Sequence, residues 1–348
     1  ADIPAYLSAL KGELTWRAGG ERVRSIYFGG GTPSLMSAGQ LAEIISTIHL
    51  LFTVDGAAEI TLEVNPGTIS LQYLKDVRSL GINRLSIGVQ SLNDNELVVL
   101  GRIHSSCEAR EAVISARDSG FQNLSIDLIY GLPAQTLSDW QNTLEGIIEM
   151  GPEHLSLYAL TVEENTPMAR AIEERTLSSI DPDLSADQYE LAEDLLSEHG
   201  YYHYEISNWA KKGKECCHNK VYWQNLPYIG VGVAAHSLLG GHRLANTRSI
   251  ENYLNAFSTS QWPALEADEE ISPRLQLAET VILGLRMCRG VCLDDIRSRF
   301  GIDLVEYYRG CIEDLVSSGL LEYNNRDIRL TRRGRLLSNE VLWRFLPD

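Results

Sequence analysis

The sequence predicts an α/β fold, a partial (β/α) barrel followed by a C-terminal helical, winged-helix-like domain. Three observations lead to it. Short β-rich runs alternate with longer amphipathic segments through the first 160 residues, the pattern of a parallel sheet with crossover helices. Polar or glycine-rich groups close many successive runs, as in barrels, whereas a doubly wound sheet concentrates such groups at one switch point. From Pro273 onward the pattern is helical and ends in a short hairpin. A chain of 348 residues suits about two domains. The expected segments are a barrel over 1–210, a connecting segment over 211–272 that packs on it, and a C-terminal domain over 273–348.

The elements follow in order. A helix over Tyr6–Ala18 opens the chain, so a barrel strand before it is missing. Strands are predicted at Ser25–Phe28, Glu59–Val64, Arg84–Val89, Leu124–Tyr130 and His154–Leu160, as apolar runs that fit burial on both faces. Helices with i, i+3, i+4 apolar spacing fall at Ala38–Leu51, Leu71–Leu80, Cys107–Ser119 and Leu137–Met150. A further helix covers 186–199, a strand Tyr201–Ser207, and Lys211-Lys212-Gly213-Lys214 breaks the pattern. Helices at Arg274–Met287, Leu293–Phe300 and Leu304–Ser318 precede strands at Leu320–Tyr323 and Ile328–Leu330. That wing carries Arg326, Arg329, Arg332, Arg333 and Arg335, a feature that raises nucleic-acid contact. In so acidic a chain these arginines are read as a solvated or acid-paired face.

Composition bounds the rest. Hydrophobic residues at 44% and charged residues at 22% are ordinary for a folded protein. The formal charge of −17 repels phosphate backbones, which argues against nucleic acid as a partner. Six cysteines form no secreted disulfide framework, and a reducing, cytoplasmic setting is expected. The apolar stretches Ile44–Val54 and Leu226–Leu239 fall short of the ~20 residues a membrane span needs, leaving at most peripheral association. No signal or transit peptide is visible.

Candidate chemistry gathers at the strand ends. The glycines of GGGTP at 29–33 let a backbone approach a ligand closely and expose N–H groups, which suits a carboxylate or phosphate. The run is neither a P-loop nor a dinucleotide fingerprint. Glu63, Gln90 and Asp127 sit at or near the ends of three strands, and Arg102 lies in the following connection. Such a set describes a polar ligand with amine, carboxylate and hydroxyl groups, and an amino acid joined to a nucleoside would fit.

GGGTPS (29–34), EVNP (63–66), RLSIGVQS (84–91), DLIYGLP (127–133), LYAL (157–160) and HNKVYW (218–223) stand in that order. With them, the sequence resembles the radical S-adenosylmethionine (SAM) proteins of the oxygen-independent coproporphyrinogen III oxidase-like branch. Through HNKVYW and YIGVGVAAHS (228–237) it is most similar to the HemW heme chaperones, over roughly residues 20 to 345. The resemblance implies that Gly30, Gly31 and Thr32 meet the amino-acid part of SAM and that Glu63 and Ala159 belong to the SAM sites. It implies that Gln90, Arg102 and Asp127 complete the polar contacts, with His236 a further candidate. In the oxidase relatives a second SAM shares this rim. No catalytic residue is assigned.

Family members also carry a Cys-x-x-x-Cys-x-x-Cys loop whose thiolates hold a [4Fe–4S] cluster, and the sequence contains no such loop. Cys288 and Cys292 have the first spacing, but position 295 is Asp, and the pair is read as buried structural cysteines. No metal ligand is therefore assigned. One reading places the first strand and cluster loop outside this sequence; the other is a cluster-less homologue. On either, the chain as given is expected to be inactive in SAM cleavage. His218, preceded by Cys216-Cys217, is the heme candidate, against a plain hydrogen-bonded core histidine. Lys211, Lys212, Lys214 and Lys220 could meet heme propionates or form a solvated loop. The implied function is a heme chaperone with SAM, a cluster and heme as cofactors, and acceptor hemoproteins and an electron donor as partners. The alternatives are a coproporphyrinogen III oxidase, which decarboxylates propionates by radical chemistry, and a cluster-less ligand-binding barrel.

Overall fold

The computed structural model describes residues 3–259 and 264–347. The outermost residues of the expected barrel and C-terminal segments, and 260–263 of the connecting segment, lie outside them. Two compact units emerge. One comprises Ala1–Ser25, Gly39–Ala58 and Cys217–Asp348, the other Ile26–Ala38 and Glu59–Cys216.

Among the described residues the strands form three sheets. The largest curls into a half-barrel and takes β1 (Arg22–Phe28), β2 (Thr53–Val64), β3 (Arg84–Gln90), β4 (Leu124–Tyr130), β5 (His154–Ala159), β6 (Tyr202–Glu205) and β7 (Asn208–Ala210) in the order β1-β2-β3-β4-β5-β7-β6. The pairs β2/β3, β3/β4 and β4/β5 are parallel, as the alternation of strand and helix predicts. The run expected as one strand over Tyr201–Ser207 is instead β6, which bends back antiparallel into β7, and β7 closes the sheet antiparallel on β5.

The strands are not apolar on both faces. Register places Leu62, Leu85 and Leu124 side by side, and likewise Val64, Ile87, Ile126 and Leu155. These residues are 0–3% exposed, and each buried aliphatic side chain contributes about 1.5–3 kcal/mol. Because side chains alternate, the opposite face carries Glu59, Thr61 and Glu63, then Arg84 and Ser86, then Ser125 and Asp127, then His154, Ser156 and Tyr158. The half-barrel thus turns a polar face inward.

The crossover helices begin where side chains replace missing backbone acceptors. Ser105 and Thr136 each form a capping box, with Glu108 and Asp139, and Gly151 ends the second helix in the left-handed conformation.

In the other unit, β8 (His236–Leu239), β9 (His242–Asn246) and β10 (Leu265–Glu270) form an antiparallel sheet that the sequence reading did not anticipate. A buried carboxylate ties this region to the opening helix Ile3–Arg17. Glu13 accepts bonds from Arg17 Nε (2.8 Å), Asn246 Nδ2 (2.7 Å), the Gly232 N–H (2.8 Å) and Tyr253 OH (2.6 Å). The C-terminal part has the expected helices, broken at Tyr308 into Leu304–Tyr307 and Arg309–Ser317. Its wing gains a strand: β11 (Val291–Cys292) joins β12 (Leu321–Tyr323) and β13 (Asp327–Leu330) in the order β11-β13-β12. Arg329 pairs with Glu322 at 2.7 Å, in keeping with an acid-paired wing. Cys288 and Cys292 are half-buried rather than buried, since Cys292 stands at the edge of the short strand that opens the next helix. No described helix is long and apolar enough to cross a membrane.

Candidate functional site

One unit gathers most of the sequence-predicted set. The glycine loop leaves β1 with Gly30 at φ +95°, a conformation glycine adopts without strain. A Cβ at Gly30 or Gly31 would meet nothing within 4 Å, so the backbone here faces open space. Behind the loop the opposite holds: a Cβ on Gly29 would lie 2.5 Å from the Tyr27 ring and 2.9 Å from Glu63 Oε1. Thr32 Oγ1 accepts a long bond from Asn65 Nδ2 (3.4 Å), and Ser34 bonds Thr68 (3.2 Å), so the loops after β1 and β2 are knitted together. The loop thus forms a backbone cradle with open space before it.

Two carboxylates share the polar face, Glu63 beside this loop and Asp127 on β4. Glu63 accepts from Tyr27 OH at 2.8 Å. Burial pushes its carboxyl above the usual range; the Tyr27 bond and the Gly30 N–H oppose the shift and the Asp127 charge adds to it. Asp127 stands at the middle of β4, where Ser86 Oγ reaches both carboxylate oxygens (3.1 and 3.0 Å) and Ser125 reaches one (3.4 Å), with the Ser156 hydroxyl also favouring its charge. Burial raises this carboxyl too, while the three hydroxyls and the buried Arg84 favour its ionised form. Burial lowers the Arg102 guanidinium and Asp127 raises it, so the field of Asp127 extends to Arg102. Gln90 ends β3 at φ +70°, a conformation costing a non-glycine residue about 1–3 kcal/mol, and it is nearly buried. A Cβ at Gly88 would sit 3.0 Å from both Asn65 Oδ1 and Gln90 Nε2, so these amides flank the glycine. Ala159 is the exposed last residue of β5.

Deeper on the same face, Ser125 bonds His154 Nδ1 and His154 Nε2 bonds Tyr204 OH, both at 2.8 Å. Burial holds this imidazole neutral, well below its ordinary pKa. Sequence reasoning found Glu63 and Asp127 but missed Tyr27, Ser86, Ser125, Ser156 and His154. The signal was the two-residue alternation of polar side chains within the strands.

His218 and His236 belong to the other unit. His236 is the exposed first residue of β8. His218 lies on the helix Cys217–Trp223, half-buried, with Nδ1 3.2 Å from Ser25 Oγ and Nε2 2.9 Å from Tyr222 OH. Tyr222 stands edge-on to the imidazole and to Tyr228. Lys211 is not free to meet a propionate, because its ammonium donates to the Gly151 carbonyl (3.0 Å) and lies over the Tyr201 ring. Among the described residues no group of three or more His, Cys, Asp or Glu side chains is arranged to hold a metal ion. The residues present therefore do not fit a [4Fe–4S] cluster.

Comparison with known proteins identifies the family. Residues 12–147 match the Radical SAM superfamily and residues 271–337 the HemN C-terminal domain. The chain is 33% identical to the heme chaperone HemW of Bacillus subtilis, covering 99% of this chain and 92% of that protein. It is 35% identical to HemW of Lactococcus lactis, covering 94% and 86% respectively. The structure of the coproporphyrinogen III oxidase HemN from Escherichia coli, a radical SAM enzyme, superposes with a TM-score of 0.85 at 26% identity over 99% of this chain and 83% of that one. With such relatives matched over nearly their whole length, the chain belongs to the HemW heme chaperone family of the radical SAM superfamily.

Proposed function

We propose that the protein is a cytoplasmic heme chaperone that binds SAM on the polar rim of its half-barrel and carries heme to acceptor hemoproteins. The observation that carries the SAM part is the pairing of an open glycine cradle with the Glu63 carboxylate beside it, on the polar face that also carries Asp127. In this reading Gly30, Gly31 and Thr32 receive the amino-acid end, Gln90, Arg102 and Asp127 hold the polar remainder, and Ala159 lines the strand-end edge. A [4Fe–4S] cluster and an electron donor are what the family implies, while the described residues offer no ligand set for the cluster.

Heme is the cargo, and His218 is its proposed ligand. A neutral imidazole offers iron one lone pair, and both ring nitrogens face hydroxyl groups, so ligation exchanges one such bond for iron. The Tyr222 phenol is the competitor at Nε2. Heme titration followed by the Soret band tests this directly. His218→Ala should abolish or shift the band, and Tyr222→Phe, which frees Nε2, should tighten binding; an unchanged spectrum and affinity in His218→Ala removes the ligand. The likeness to HemN favours one second reading, oxidation of coproporphyrinogen III. Porphyrinogen turnover by reconstituted protein would replace the chaperone reading.

A further inference from the structure

We infer that Tyr27 is the positioning residue for Glu63: its phenol donates to that carboxylate beside the glycine loop and aims it at the cationic ammonium of the bound ligand. The inference rests on the SAM reading above and adds a residue to it.

Three observations converge on the pair. The Tyr27 hydroxyl donates to Glu63 Oε1 at 2.8 Å. The Gly30 N–H acts on the same carboxylate in favour of its charged form, so the loop leaving β1 reinforces what Tyr27 does from the strand. Gly29, between them in sequence, cannot carry a Cβ because it would strike the Tyr27 ring at 2.5 Å and Glu63 at 2.9 Å. The first glycine of GGGTP therefore serves the Tyr27–Glu63 pair, while the next two leave the ligand side open. Chemistry gives the pair its direction. A phenol in this buried, carboxylate-rich setting stays protonated, since burial and the neighbouring Glu63 and Asp127 charges all push its pKa upward. It can then only donate toward Glu63.

The groups acting on Glu63 are Tyr27 from β1, the Gly30 N–H from the loop and Asp127 from β4. Arg84 from β3 acts on both Tyr27 and Asp127. Burial and Asp127 disfavour the carboxylate; Tyr27 and Gly30 favour it. Removing the phenol hydroxyl must therefore raise the pH at which Glu63 ionises, and ammonium binding must fail earlier as pH falls.

Tyr27→Phe keeps the ring against Gly29 and deletes only the donor. SAM titration calorimetry between pH 5 and 8 on wild type, Tyr27→Phe, Glu63→Gln and the double variant reads the effect. A hydrogen bond to a charged group corresponds to roughly ten- to hundred-fold in affinity. The expected result is a loss of that size in Tyr27→Phe at neutral pH, an acid limb displaced upward, and a double variant no weaker than Glu63→Gln alone. Wild-type affinity and pH profile in Tyr27→Phe, or losses that add in the double variant, would overturn the inference. Carboxyl NMR titration of Glu63 without ligand separates the two layers. An upward shift in Tyr27→Phe supports the Tyr27 role even if SAM fails to bind wild type, which sinks the SAM reading alone; no shift sinks the Tyr27 role.

Discussion

Glu13 offers the sharpest test of how the opening helix is anchored. Its two oxygens accept four donors: Arg17 Nε and Asn246 Nδ2 on one, the Gly232 N–H and Tyr253 OH on the other. The Glu13 side chain is fully buried and that of Arg17 is 2% exposed. In Glu13→Gln one oxygen becomes an amide nitrogen that faces donors, and Arg17 remains buried without a counter-charge. Breaking a buried pair by removing one partner costs about 3–5 kcal/mol, a range that includes the ~1–3 kcal/mol of an orphaned donor. Urea unfolding of Glu13→Gln should show that loss, and hydrogen exchange should show faster opening at the Gly232 amide. Adding Arg17→Met should recover much of it, because the new glutamine amide can then donate to Asn246 Oδ1, the atom Arg17 Nη2 occupied at 2.9 Å. A loss below about 1 kcal/mol in Glu13→Gln, or no recovery in the double variant, would refute the reasoning.

Two further expectations concern charge and backbone. Burial raises the Asp127 carboxyl in the folded protein, so its ionisation costs stability: the ligand-free chain keeps this contribution below the ordinary carboxylate range and loses it as pH rises through the raised value. Asp127→Asn should therefore raise the melting temperature of ligand-free protein at neutral pH and flatten its decline from acid to neutral; a lower melting temperature with an unchanged slope would contradict this. Gly290 sits at φ +76°, and a Cβ there would lie 2.0 Å from the Ile328 carbonyl oxygen. Gly290→Ala should lower stability by at least ~2 kcal/mol by calorimetry, since the left-handed backbone alone costs about 1–2 kcal/mol; a change under ~0.5 kcal/mol would show that β11 moves away freely.

Much of the half-barrel was legible because its signals are local. Leu137–Met150 starts at Thr136 with Asp139 three residues on and stops at Gly151, and LSIDLIY over 124–130 forms β4 with the predicted bounds. Glu63 and Gln90 could be found because a carboxylate and an amide are unusual so close to strand ends, and Asp127 because a carboxylate is unusual within an apolar strand. The serines around Asp127 were not, because a serine in a strand is unremarkable until register places it beside its partners. β10 was missed for a related reason. LEADEE has the composition strands avoid, and it pairs because Arg243 and His242 on β9 meet Glu269 and Asp268 across the ladder. The relation of His218 to Ser25 was likewise invisible, since 193 positions separate them.

The Glu13 cluster also sets an order of events in time. Its partners Gly232, Asn246 and Tyr253 follow it by 219, 233 and 240 positions. At synthesis rates of ~5–20 residues per second, the glutamate waits roughly 10–50 s on the ribosome for the groups that will enclose it. During that interval the residues of the other unit, 59–216, have already emerged and can close their parallel strands. The helix Ile3–Arg17 is then made before the half-barrel and secured after it, and damage to the Glu13 cluster should appear as a slow final phase in refolding rather than as a failure of the half-barrel.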